Sequence, residues 1–292
     1  MSANAFAPGH VSGLFAIHDE APALLHKGSR GAGWSVDKGA MASVDEARTT
    51  TVTLDGAPSD AAVTKDALRR LDPDRHFDVR LRLDLPVRQG FGMSAAGTLA
   101  ACLAAANLAG LEPEDALAAT HAAEVASGTG LGDAVGSWFG SGEVRLRPGC
   151  PPHGWALRID PPPGTRFLFC VLGAGIATPS IIREAAWKAR TRELGDPGVD
   201  RIVAAGRTMG WSILLREAAR FSRELGLMPD TMRDLGAALP ANVTWGQSML
   251  GNTLWATGPG HALDEARVRL AAAGTVIACG VDDKGARAVR AP

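Results

Sequence analysis

Residues 77–97 read FDVRLRLDLPVRQGFGMSAAG. Phe77, Val79, Leu81, Leu83 and Leu85 alternate with Asp78, Arg80, Arg82 and Asp84. That period of two predicts a strand with one buried and one wet face. Pro86 ends it, having no N–H to give to a ladder. Gly90 and Gly92 then free the backbone for tight turns. An Ala/Leu-rich helix follows at once and runs to about Ala109, where Gly110 stops it. The first N–H groups of such a helix lack intrahelical partners and sit at the positive end of its dipole. Gly90, Phe91, Gly92, Met93, Ser94, Ala95 and Ala96 are therefore candidates to cradle a phosphate chain. Ser94 adds a hydroxyl oxygen, a ligand type that suits Mg2+. Two known phosphate motifs fail. There is no G-x-x-x-x-G-K-[ST], and Ala95 stands where G-x-G-x-x-G places its last glycine. The plain alternative is a helix start with tight turns and no ligand.

Downstream, a helix is expected over 114–127, with Asp115 in its first turn, where a negative charge suits the dipole. The segment GTGLGD, 128–133, follows. Glu124 falls late in the helix and Asp133 just after a glycine loop. Phosphoryl transfer needs two kinds of carboxylate. One holds Mg2+ between phosphates, and the other orients or deprotonates the attacking hydroxyl. Asp133 fits the second role, and Glu124 could share the metal with Ser94. The competing reading is a solvated helix-end Glu and a turn Asp.

The flanking chain sets the fold class. Residues 5–55 read as β-rich, with an apolar run at 14–17 and a β-branched run, TTTVTL, at 49–54. A short helix is expected over 60–71, and strands over 142–147 and 166–172. Helical patterning covers 181–194, 200–225, 228–239 and 263–273, and a last strand is expected at 275–279. This mixture predicts an α+β fold of two lobes, 1–173 and 174–292.

Composition narrows the functional classes. The 292 residues include 46% hydrophobic and 21% charged side chains, which excludes a largely disordered chain. Lys plus Arg (30) and Asp plus Glu (31) leave a net charge of −1. A general nucleic-acid or anionic-membrane binder would be strongly basic, so neither partner is expected. Gly is over-represented, 35 residues against about 7% in an average chain, and the glycines cluster in loops where backbone must approach something closely. Cys102, Cys150, Cys170 and Cys279 form no C-x-x-C pair, as expected of free thiols in a reducing compartment. The first residues lack a basic and apolar leader pattern, and the apolar stretch at 98–111 is too short to span a bilayer. A cytoplasmic protein is expected. The seven Trp residues are dispersed, which favours core positions over a sugar platform.

Three segments in order carry a family resemblance: APGHVSGLF at 7–15, GFGMSAAG at 90–97 and GQSMLGNTLWA at 246–256. They resemble the three motifs of the GHMP kinases, the second being the phosphate-binding one. GSRGAG at 28–33, HAAEVASGTGLGD at 121–133 and RLRPGCPP at 145–152 are similar to the archaeal pantoate kinases within that superfamily. The resemblance implies a ribosomal-S5-like N-terminal lobe and a ferredoxin-like C-terminal lobe. It also implies ATP- and Mg2+-dependent phosphorylation of pantoate to 4-phosphopantoate for coenzyme A, and a homodimer. Carried over by residue, Ser94 and Glu124 bind Mg2+ and Asp133 is the catalytic carboxylate. The chain departs from the superfamily pattern at His10, where many members have Lys. It departs again at Arg88, in place of a glycine, and at Met93, in place of a Ser.

Pantoate carries a carboxylate and two hydroxyls, and a carboxylate favours the fork of an Arg. Arg145 is the first candidate, then Arg30 among its glycines, with Ser29 beside it. His121 lies one helical turn before Glu124, on the same face, and Thr178 precedes Pro179. The remaining readings are a GHMP-type kinase or transferase for another small alcohol, or a non-catalytic nucleotide-binding module.

Overall fold

A computed structural model describes residues 2–174 and 184–290. Two long strands, β1 (Ala3–His18) and β2 (Gly28–Ala47), pair antiparallel and form the spine of the larger sheet. The strand predicted at 77–85 is β5 (His76–Leu83), which pairs antiparallel with β2. Its apolar residues Phe77, Val79 and Leu81 are buried, as the alternation requires. Beyond β5 lie β3 (Thr51–Leu54) and β4 (Ala57–Pro58). On the far half of β2, β6 (Gly142–Arg147) pairs at Gly31–Trp34, and β7 (Trp155–Ile159) pairs with β6.

Helix α1 (Ala62–Leu71) follows β4 in the chain. Helix α2 (Met93–Ala109) packs on β1, β2 and β5 and is buried on every side from Ala95 to Ala106. Its small side chains let the sheet and α3 (Pro113–Ser127) approach closely. Gly110, at φ 71°, ends α2 in the left-handed conformation that glycine adopts without strain. A five-residue glycine loop then joins α3 to α4 (Asp133–Phe139).

The smaller sheet runs β11–β8–β10–β9, all antiparallel. It comprises β8 (Phe167–Val171), β9 (Thr244–Gln247), β10 (Thr253–Thr257) and β11 (Thr275–Cys279). Helices α5 (Ala185–Ala204), α6 (Gly206–Glu224) and α7 (Asp230–Ala237) come between β8 and β9, and α8 (Gly260–Ala271) between β10 and β11. This βαββαβ order is the ferredoxin-like arrangement. Met232 of α7 and Ala262, Leu263, Ala266 and Leu270 of α8 pack with Leu168, Cys170, Leu254 and Ala256 of the sheet.

The sheets do not divide the chain at Gly173. The small sheet begins with Phe167, and β12 (Arg287–Val289) returns to pair with Asn4–Phe6 of β1. Helix α5 also runs straight through 195–200, where the sequence reading leaves a gap between helices, and it contains Pro197. Aromatic packing joins the sheets: Trp34 of β2 stacks on Phe167 at 4.9 Å and meets Trp255 edge-on at 5.2 Å. All four cysteines are free and buried. Among the described residues no helix is long and apolar enough to cross a membrane.

Candidate active site

The strand–loop–helix segment opens one wall of a cleft of about 450 Å3. Gly90, Gly92, Met93, Ser94 and Ala95 line it, facing Glu124, Thr129, Gly130 and Asp133. Gly92 is the N-cap of α2, at φ 59°, and no side chain caps that end. The helix start is thus left open to an outside acceptor, as a phosphate cradle needs. Phe91 and Ala96 turn inward instead. The Phe91 ring meets Phe169 edge-on at 5.0 Å, and its carbonyl accepts the backbone N–H of His10 at 2.9 Å.

A second loop holds this one in place. Gln89 is buried; its amide donates to Gly173 O at 2.6 Å, and its carbonyl accepts from Asn252 N at 3.2 Å and Thr253 Oγ1 at 3.3 Å. The two loops touch so closely that a Cβ on Gly251 would stand 2.1 Å from the Gln89 carbonyl carbon. Arg88 lies at the cleft edge with φ 60°, a left-handed conformation that costs a non-glycine residue about 1–2 kcal/mol.

Ser94 Oγ donates to Glu124 Oε1 at 2.7 Å, so the two residues expected to share a metal are already adjacent. Burial pushes the Glu124 carboxyl up to about 7, against the hydrogen bonds of Ser94 and Thr129; the Asp133 charge pushes the same way. Gly130 leaves room for this carboxylate, because a Cβ there would stand 2.6 Å from Glu124 Oε2. A buried carboxylate short of positive charge, beside a hydroxyl and open to a cleft, is a donor set that fits a hard divalent cation.

Asp133 opens α4 and packs against Gly92. Its side chain keeps 28% of its surface open to the cleft while protein crowds the rest. Burial would raise its pKa, but hydrogen bonding and charge from His10, the Arg145 charge and a 3.2 Å hydrogen bond from Ser12 hold it below the usual carboxylate range. His10 is fully buried. Its Nδ1 lies 2.9 Å from Asp133 Oδ1 and its Nε2 3.0 Å from Glu143 Oε2. Burial works against the imidazolium, yet the Glu143 and Asp133 carboxylates outweigh it and carry its pKa up to about 9. Both ring nitrogens then donate. The ring has space only because Gly33 and Gly136 flank it: a Cβ on either would stand 2.6 or 2.3 Å from Nε2.

The row of charges continues. Arg145 Nη1 donates to Glu143, giving an alternation Asp133, His10, Glu143, Arg145 that is open to the cleft at Asp133 and buried beyond it. Arg145 is 3% exposed, and its Nε and Nη2 have no partner among the described residues. These two N–H groups form the side of the guanidinium that grips a carboxylate in parallel. They lie behind the cleft floor, where a Cβ on Gly132 would meet Arg145 Nε at 2.7 Å and Ser29 Oγ at 2.8 Å. Ser29 lines the cleft, its Oγ donating to Leu131 O at 3.3 Å.

Arg30 is turned to another task. It donates to Asp196 and Asp200 at 2.8 Å each and to Leu146 O at 3.0 Å, pinning α5 to β2, and it does not line the cleft. His121 is on the buried face of α3, its Nε2 2.8 Å from Lys27 O. Burial lowers its pKa, so it is a neutral donor to that carbonyl rather than a cleft residue. Thr178 lies outside the described residues. Sequence reasoning passed over Ser12, Gln89 and Glu143, and noted His10 only as a departure. For His10, Ser12 and Glu143 the one available signal was polarity inside strands that the structure buries; Gln89 sits in the loop between β5 and α2, where a polar residue carries no such signal.

The family described as GHMP kinases N terminal domain matches residues 61–141. The chain is 26% identical over 263 residues to a pantoate kinase of Methanocaldococcus jannaschii, covering 89% of this chain and 94% of that one. It is 34% identical over 163 residues to a pantoate kinase of Thermococcus kodakarensis, covering 52% and 54% respectively. A solved structure described as a phosphotransferase related to the CoA biosynthesis pathway superposes with a TM-score of 0.84 at 24% identity, over 99% of both chains.

Proposed function

The chain belongs to the GHMP kinase superfamily and is a small-molecule kinase, and from that premise we propose that it transfers the γ-phosphoryl group of ATP to the primary hydroxyl of pantoate. The observation that carries the choice of substrate is the buried Arg145 guanidinium, whose Nε and Nη2, beside Ser29 and Gly132, have no partner among the described residues. An unpaired buried donor pair of this kind is costly unless a ligand completes it, and a carboxylate completes it best.

In this reading the open start of α2 and the loop 90–95 hold the phosphates. Ser94 and Glu124 would hold Mg2+, which would supply positive charge against the phosphates. Asp133 accepts a hydrogen bond from the substrate hydroxyl and aims its oxygen at the γ-phosphorus. The O–P bond forms as the bond to the β-phosphate oxygen breaks, ADP leaves, and the hydroxyl proton passes to Asp133. His10 keeps Asp133 anionic and therefore weakly basic. Such a carboxylate orients the hydroxyl first and takes its proton late, once bonding to phosphorus has made that hydroxyl acidic.

The test is mass identification of the product after incubation with ATP, Mg2+ and each of pantoate, pantothenate, mevalonate and homoserine. A phosphate-sized mass gain on pantoate alone is expected. Turnover of pantothenate without pantoate rejects the substrate.

A further inference from the structure

Arg88 is the single cation among the described residues that line the cleft, whose two carboxylates are Glu124 and Asp133. It stands at φ 60°, a backbone conformation that glycine adopts freely and a long side chain does not. Among the described residues its guanidinium has neither an ion pair nor a hydrogen bond, although most other arginines have a carboxylate: Arg30, Arg80, Arg145, Arg201 and Arg220 are all paired. Strain of this kind persists where something else gains from the placement. The described residues gain nothing from the side chain, which is exposed and has no partner among them. The backbone around it is held by its neighbour: Gln89 is tied to Gly173, Asn252 and Thr253, so residue 88 cannot relax without disturbing the join between the two loops.

The gain must therefore be sought in a ligand. The cleft wall beginning two residues later, at Gly90, leads into the uncapped start of α2. A polyanion seated there meets the backbone N–H groups on one side and two carboxylates on the other. The latter call for a counter-charge that no other lining residue provides. We propose that Arg88 is a nucleotide-binding residue, its guanidinium closing on the phosphate chain of ATP and ADP from the mouth of the cleft. A planar fork suits phosphate oxygens, and its contact at the rim lets it follow the nucleotide in and out. This rests on the kinase reading above and adds to it the residue that neutralises the nucleotide. The same guanidinium chemistry would suit the substrate carboxylate, but the buried Arg145 fork already offers a fixed place for that group.

The test uses the whole chain as wild type, Arg88→Gly, Arg88→Ala and Arg88→Lys. Calorimetric titration with ATP, ADP and adenosine reads binding, and steady-state assays read KM for pantoate. Both Arg88→Gly and Arg88→Ala are expected to weaken ATP and ADP about tenfold, the lower end for a charged hydrogen bond at an open site. Adenosine affinity and pantoate KM stay within twofold, and Arg88→Lys recovers part of the loss. Arg88→Gly melts no lower than wild type, because it relieves the left-handed strain. Wild-type binding of ADP with Arg88→Gly and Arg88→Ala within twofold of it overturns the role. So does a rise in pantoate KM with nucleotide affinity unchanged. A wild-type chain that binds neither ATP nor ADP overturns the kinase reading, and this role with it.

Discussion

His10 Nδ1 lies 2.9 Å from Asp133 Oδ1, although 123 residues separate the two in sequence. The contact joins the first strand of the chain to the first turn of α4, at the floor of the cleft. It is made possible by Gly136, since any Cβ there would overlap the imidazole. The consequence is electrostatic. A cation sealed behind Asp133 keeps that carboxylate charged and aimed while its open side faces the cleft.

Replacing Asp133 by Asn keeps the shape and removes the charge. The amide can still meet His10 but cannot accept a proton. Asp133→Asn is expected to fold, with a melting curve close to wild type, and to phosphorylate pantoate at least about a hundredfold more slowly, the lower bound for an acid–base residue. Near-normal turnover would remove Asp133 from the chemistry.

The imidazolium has its own pH signature. With a pKa raised from 6.5 to about 9, His10 holds its proton in the folded chain where an unfolded chain loses it. Its contribution, on the order of 3 kcal/mol, is full below pH 6.5 and gone once pH has risen through 9. His10→Gln keeps two hydrogen-bonding ends without the charge. The melting-temperature gap between wild type and His10→Gln should be widest near pH 6 and close towards pH 9. A gap that grows with pH would mean that the ring is neutral in the native state.

Arg145→Lys separates charge from geometry. An ammonium can still neutralise Glu143, but it cannot present two parallel N–H groups to a carboxylate. Losing a charged hydrogen bond of about 1.5–3 kcal/mol raises KM for pantoate roughly ten- to a hundredfold, with KM for ATP little changed. Steady-state kinetics with each substrate varied in turn decides it. An equal rise in both constants would point to a collapsed site instead.

The legible parts of this molecule are those where a local pattern has one structural meaning. Alternation marked β5, glycines marked the turn at 90–92, and the Ala-rich run marked α2, because each depends on a few neighbouring residues. Glu124 and Asp133 could be paired in advance because one helix end and one glycine loop separate them. The spine of the sheet was harder. Strand β1 is buried along nearly its whole length, so it shows no alternation, and only its apolar stretch at 14–17 stood out. Helix α5 runs through Pro197 because Gly195 and Gly198 seat it directly on β1 at Phe15 and Leu14, and this packing overrides the local break. Arg30 read like a ligand residue for want of any sign of Asp196 and Asp200, which reach it from a distant helix. Glu143 looked like an ordinary polar strand residue, since its partners come from β1 and from Arg145 two positions away.

Glu124 supplies the last prediction. Its carboxyl, pushed up to about 7 by burial, is mostly protonated at pH 6 and mostly ionised at pH 8. A divalent cation binds the ionised form, so below pH 7 the metal must displace a proton. Calorimetry of MgADP binding, run in buffers of differing ionisation enthalpy, counts that proton. The wild-type chain should release about one per site at pH 6 and close to none at pH 8, with affinity for the metal complex rising about tenfold across that interval. Glu124→Gln should release none at either pH and lose the pH dependence. His10 does not confuse the count, because its pKa of about 9 keeps it protonated throughout. A wild-type chain that binds MgADP at pH 6 without releasing a proton would place the metal away from Glu124, and Ser94 would then be left as that carboxyl's hydrogen-bond partner alone.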